Sequence, residues 1–230
     1  MRVTWASAWR IVASRYPPVD LFERLTADHA VWDALIAAEQ LTNPRLRDEI
    51  GDIALVPAED RISGPGASYV MASFTHVNPR GSRFSDGTYG VYYAAATLQT
   101  AIAETVFHFE QFAADSADPP RTEDMRVLVG SIDHPFEDVS SLSPARLSAV
   151  LAPDTYAAAQ AYGRELRDSG AAGVVYPSVR DPAGQCVGAF KPRAVAPPHQ
   201  ERHLKYRWNG ERVDRYFDYQ QDRWIALERP

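Results

Sequence analysis

The stretch GSRFSDGTYGVYYAAATLQTAIAETVFHFEQF, residues 81–112, passes in order through a polar loop, a strand and a helix. From Thr97 to Phe112 the spacing of Leu98, Ile102, Thr105, Val106, Phe109 and Phe112 predicts a helix with one apolar stripe, closed by Asp115, Ser116 and Asp118-Pro119-Pro120. Glu104 falls off that stripe. It shares a neighbouring face with Ala101 and His108, where a carboxylate can look into a cleft beside the core. Ahead of the helix, YGVYYAA from Tyr89 to Ala95 predicts a strand, and Asn78 to Gly87 a polar loop carrying Arg83.

Upstream, YVMASFT from Tyr69 to Thr75 has the β-branched and aromatic content of another strand, so two strands are expected to frame the loop. WRIVAS from Trp9 to Ser14 predicts a first strand, ending at Tyr16-Pro17-Pro18. Between them an inserted helical segment is expected over about 26–66. There Asp28 would cap a helix carrying Val31, Leu35, Ile36 and Leu41, a second short helix would follow Asn43-Pro44 to near Gly51, and Ser63-Gly64-Pro65-Gly66 would turn the chain.

Downstream, Arg126 to Ile132 predicts a strand, Pro144 to Leu151 and Asp154 to Asp168 predict helices, and Gly173 to Tyr176 and Cys186 to Phe190 predict strands about the turn Asp181-Pro182-Ala183-Gly184. Leu204 to Trp208 and Arg212 to Phe217 read as a hairpin about Asn209-Gly210, in an extension over about 193–230. Strands interleaved with helices without regular alternation predict an α+β fold, one domain over residues 1–230.

Composition narrows the function. A chain of 230 residues with 45% hydrophobic content can bury a sizeable core. The formal charge of −6 and the lack of a Lys/Arg run argue against a nucleic-acid surface. Cys186 is the single cysteine, which excludes an internal disulfide and reads as a small buried apolar residue. Arg2, Arg10 and Arg15 interrupt the amino terminus, and no stretch approaches the roughly 20 apolar residues of a membrane span, so a cytoplasmic protein is expected. Phosphate-loop, dinucleotide-fingerprint, nucleophile-elbow and HExxH motifs are all missing. His199 and His203 flank Glu201 without a third spaced ligand, so no metal site is expected.

Arg83 in the loop, Tyr93 on the strand, Glu104 on the helix and Ser178 beyond a later strand are the types that suit a dinucleotide. Arginine holds a pyrophosphate bidentately, an aromatic ring stacks on nicotinamide, a carboxylate stabilises the positive charge of a breaking glycosidic bond, and serine hydrogen-bonds ribose or phosphate. Taken singly, each has an ordinary reading as a loop charge, a strand aromatic, a helix-face charge and a strand-end hydroxyl.

Together, Gly81-Ser82-Arg83-Phe84, Val91-Tyr92-Tyr93-Ala94, Ala101-Ile102-Ala103-Glu104 with His108, and Val175-Tyr176-Pro177-Ser178 resemble the signature of the RES domain, named for its arginine, glutamate and serine. Trp9-Arg10-Ile11 resembles the family's opening, and the resemblance runs from Trp9 to about Phe190. It departs at Ser82, Phe84 and Ser85, where the family loop has glycine, tryptophan and asparagine. The usual asparagine-proline-histidine ending is not apparent in Gln185 to Pro192.

The resemblance implies an ADP-ribosyltransferase-like mixed sheet with flanking helices and an enzyme that cleaves NAD, as a glycohydrolase or as a phosphorylase with inorganic phosphate as co-substrate. Transfer of ADP-ribose to a protein is the enzymatic alternative, and a non-catalytic interaction module retaining the fold is the alternative of another class. It further implies Arg10 and Arg83 on the pyrophosphate or ribose side, Tyr93 facing the nicotinamide ribose, Glu104 stabilising the transition state and Ser178 completing the substrate pocket. NAD would be the substrate, with no separate cofactor, and a cognate antitoxin the partner.

Overall fold

The computed structural model describes residues 1–16, 22–26, 28, 31, 32, 34–37 and 50–227. Its frame is a mixed sheet of nine strands among these residues: β1 (Arg2–Ala13), β2 (Tyr92–Ala95), β3 (Arg121–Pro135), β4 (Glu137–Asp138), β5 (Gly173–Pro177), β6 (Gln185–Ala189), β7 (His199–Trp208), β8 (Val213–Asp218) and β9 (Arg223–Ala226). Their order is β4-β5-β6-β2-β1-β3-β7-β8-β9, antiparallel throughout except for the parallel pair β4 and β5. Helix α1 (Ala67–Thr75) packs on one face, and α2 (Leu98–Asp115), α3 (Pro144–Val150) and α4 (Ala157–Asp168) pack on the other. The α+β expectation holds.

Helix α2 follows from its stripe. Ile102, Val106 and Phe109 are buried against Ile11, Val127 and Tyr206, each apolar side chain contributing about 1.5–3 kcal/mol on burial. Phe112, expected on the same stripe, is 46% exposed, with the Arg15 guanidinium 5.2 Å from its ring.

Two expectations are overturned. YVMASFT is the body of α1, not a strand. The buried residues Ala67, Val70, Met71, Phe74 and Thr75 repeat at helical spacing, a pattern hidden by their β-branched and aromatic types. A residue far away in sequence holds the helix start: the Glu23 carboxylate accepts the Ser68 backbone N–H and the Ser68 hydroxyl. On the helix expected after Asp28, Ile36 is buried beside Trp32, whereas Val31 and Leu35 are exposed; Ile50, Ile53 and Val56 are buried further along the segment. Leu41 and most of the helix expected after Asn43-Pro44 lie outside the described residues.

The stretch from about 193 continues the same sheet. β7 runs along β3 from Arg121↔Trp208 to Val129↔His199, the hairpin to β8 turns at Asn209-Gly210 as expected, and β9 adds a strand the sequence did not signal.

The arrangement of β1 and β2 matters most for the site. They pair at Trp9↔Ala95 alone and then part. Gly90, just before β2, lies so close to α1 that a Cβ there would sit 2.1 Å from the Ser73 carbonyl oxygen. The ladder therefore begins at Tyr92 rather than Tyr89.

Candidate active site

The loop after β5 is moored to the first turn of α2. Thr97 caps the helix by accepting the Thr100 N–H at 3.1 Å, and the Thr100 hydroxyl donates to Asp181 Oδ2 at 2.7 Å. Asp181 opens the expected turn, its carbonyl accepting the Gly184 N–H, and the Gly184 carbonyl accepts the Ser178 N–H. Ser178 is thereby set against the next turn of α2, where its Oγ donates to Glu104 Oε1 at 2.6 Å. The same Oγ accepts the N–H groups of Arg180 and Asp181 at 3.1 and 3.0 Å.

A serine hydroxyl has one hydrogen to give and two lone pairs, and all three are engaged within the protein. Expected as a substrate-binding residue, Ser178 here holds the Glu104 carboxylate. The Cys186 thiol faces the same Oε1 at 3.9 Å, and burial, with the nearby Glu104 charge, pushes its pKa up and keeps it a thiol. Oε2 of Glu104 accepts no hydrogen bond, and no cation lies within ion-pair distance, among the described residues.

Arg83 leaves a tight loop in which Gly81 takes a φ of 76°. It is 7% exposed, donates Nη1 to the carbonyls of Ala152 (2.9 Å) and Val150 (3.4 Å), and lies 4.6 Å over the Tyr156 ring. No carboxylate pairs with it among the described residues. Arg180 holds the same segment through the Pro153 carbonyl at 2.7 Å. The buried Tyr176 phenol marks where these groups converge: burial raises its pKa well above the ordinary value, Cys186, Glu104 and Tyr93 add to the rise, and Arg83 opposes it.

Tyr93 joins this cluster to an open cavity. Its hydroxyl accepts the Phe84 N–H at 2.9 Å and hydrogen-bonds Ser82 Oγ at 2.8 Å, and burial pushes its pKa up to about 12, so the phenol is neutral. Arg10 donates Nη1 to the Tyr93 carbonyl at 2.9 Å, bridging β1 and β2 where their ladder has stopped. Burial lowers the Arg10 pKa. At this split opens a cavity of about 800 Å³, bordered by Arg10, Tyr93, Ser82 and the inner side of α1.

The five anticipated residues therefore fall into two groups. Glu104 and Ser178 are in direct contact with Arg83 nearby, and Arg10 and Tyr93 border the cavity. Tyr156, Asp181 and Arg126 were not anticipated. The one signal for them was Arg126 between Met125 and Val127, a cation inside an apolar strand run. Glu201, between His199 and His203, is bound by Arg202, and no group of three or more potential metal ligands occurs among the described residues. No helix among them is long and apolar enough to cross a membrane.

A family model described as the RES domain matches residues 58–209. The chain is 29% identical over 205 residues to the uncharacterized protein y4oC of Sinorhizobium fredii (strain NBRC 101917 / NGR234), covering 89% of this chain and 84% of that protein. It is also similar to a chain of the M. tuberculosis MbcT-MbcA toxin-antitoxin complex, with a TM-score of 0.43 and 11% identity, over 91% of this chain and 87% of that one.

Proposed function

The chain belongs to the RES-domain family, and from that premise we propose that it cleaves NAD between nicotinamide and ribose, with water or inorganic phosphate taking the ADP-ribose. The observation that carries this reading is the Glu104 carboxylate. Among the described residues, Ser178 holds one of its oxygens, the other is unbonded and it has no cationic partner, while the buried Arg83 and the half-buried Arg10 have no carboxylate. Unpaired charges inside a protein are costly and call for a ligand that compensates them. NAD has the complementary pattern, a cationic pyridinium beside an anionic pyrophosphate.

In the reaction the bond from ribose C1′ to the pyridinium nitrogen breaks, and its electron pair leaves with nicotinamide, which departs neutral. Positive charge passes to the ribose ring, and the fixed Glu104 carboxylate stabilises it. An oxygen of water or phosphate then bonds to C1′ and, if protonated, releases its proton to solvent. Arg83 and Arg10 neutralise the pyrophosphate, and the neutral Tyr93 ring walls the nicotinamide side.

The family resemblance adds that such an activity is toxic in the cytoplasm and is restrained by a cognate antitoxin. Purified protein incubated with NAD, with and without phosphate, should release nicotinamide, and expression should be toxic in a manner abolished by Arg83→Ala or Glu104→Ala. Folded protein that releases no nicotinamide under either condition overturns the proposal. Labelled ADP-ribose appearing on a protein band instead of in solution would redirect it to protein modification.

A further inference from the structure

On β3, outside the RES signature residues, Arg126 is 8% exposed and lines the same cavity as Arg10. The register explains the proximity. Val12 is paired with Arg126 and Arg10 with Leu128, so all four side chains stand on one face, and the two arginines are diagonal neighbours roughly 7–8 Å apart at the backbone. Arg126 donates Nη1 to the Tyr16 carbonyl at 3.2 Å. Its Nε is buried without a partner, as is that of Arg10, and neither guanidinium meets a carboxylate among the described residues.

Two like charges on one sheet face, Arg126 buried and Arg10 half-buried, in a chain of net charge −6, are an expensive arrangement for a merely structural purpose. Among the described residues the cavity has no acidic side chain on its walls, its remaining lining is largely apolar and small-polar, and its volume of about 800 Å³ falls within the range of small-molecule sites.

We propose that this cavity binds a nucleoside diphosphate, with Arg126 as a phosphate-binding residue beside Arg10 and the apolar wall of α1 receiving the base. Resting on the NAD reading, this assigns the cavity to the ADP portion of the substrate and makes Arg126 a binding rather than a catalytic residue. Arginine suits the task because its planar fork meets two phosphate oxygens at once.

ADP is the probe, titrated by calorimetry into the full chain, so that binding is read without turnover. The wild type and Glu104→Gln should bind ADP alike. Arg126→Gln should weaken binding by about tenfold or more, the size of a charge-assisted hydrogen bond in a desolvated site. Arg126→Lys, which keeps the charge and loses the fork, should fall between. Ala72→Trp, at an exposed position on the cavity rim, should block binding without disturbing either arginine.

With NAD as substrate, Arg126→Gln should raise KM and leave kcat near the wild-type value. ADP that fails to bind the wild type, or binds folded Arg126→Gln or Ala72→Trp unchanged, overturns the proposal. Should Arg126→Gln not fold, Ala72→Trp decides alone. ADP binding as expected with no nicotinamide release from NAD would sink the proposed reaction and leave the cavity assignment standing.

Discussion

The two faces of the sheet solve opposite problems with charge. On the α2 face the Glu104 carboxylate is held by Ser178, which two backbone N–H groups hold in turn, and the thiol of Cys186 closes the same side. On the α1 face Arg10 and Arg126 border an open cavity; each donates to one backbone carbonyl, Arg10 also lies 4.6 Å over the Tyr92 ring, and each has a buried Nε without a partner among the described residues. The first arrangement is complete before any ligand arrives, which suits the proposed role of stabilising a short-lived charge without reorganising. The second is incomplete without an anion. The difference teaches that a carboxylate with its oxygen already held and a pair of arginines open to a cavity lie on different sides of Tyr93.

The largest effect expected from breaking this division is at Glu104. Glu104→Gln should lower kcat for nicotinamide release on the order of 10²- to 10³-fold, because the role proposed for the carboxylate is to act on charge that develops in the transition state. A variant that loses NAD affinity with kcat intact would move Glu104 to the binding side.

Next in size is Ser178→Ala, which removes a hydrogen bond to a charged oxygen. A loss of about tenfold or more in kcat with KM little changed is expected, with the carboxylate free to rotate. Serine acting directly on substrate would instead raise KM.

The smallest effect is expected at the border. Tyr93→Phe deletes the acceptor of the Phe84 N–H and should cost about 1 kcal/mol, a fall in Tm of roughly 2–4 °C. The same phenol links stability to alkaline pH. Its pKa in the folded protein, about 12, lies above the ordinary value of 10.0, so its contribution is complete below pH 10 and is lost as pH rises towards 12. Tyr89, also raised to about 12, should contribute in the same range. Denaturation followed across that range should show a decline that is shallower in Tyr93→Phe, and a decline of equal steepness would show that the buried phenol is not its source.

Much of this layout was legible in the chain. The stripe of α2, its Thr97 cap, the turn at Asp181 to Gly184 and the hairpin at Asn209-Gly210 are local patterns, and local patterns are what side-chain spacing and turn chemistry encode. YVMASFT has a β-branched and aromatic composition that points to a strand and a spacing of apolar residues that points to a helix, and the spacing prevails. Its helix is stabilised by burial against the sheet and by Glu23, which lies 45 residues away from Ser68. Arg126 looked like the polar end of a strand, because only the register of β3 on β1 makes it a neighbour of Arg10.

By itself the sequence determined the helix that carries Glu104, the loop that carries Arg83, and the family whose signature they belong to. It could not state that Ser178 spends its hydroxyl on Glu104, 74 residues away, or that β1 and β2 part after one pair and leave a cavity bordered by two arginines that meet no carboxylate among the described residues. Those are properties of distance and of hydrogen-bond capacity. A residue type specifies how many bonds a group can make, and only the packed chain decides which of them are already taken.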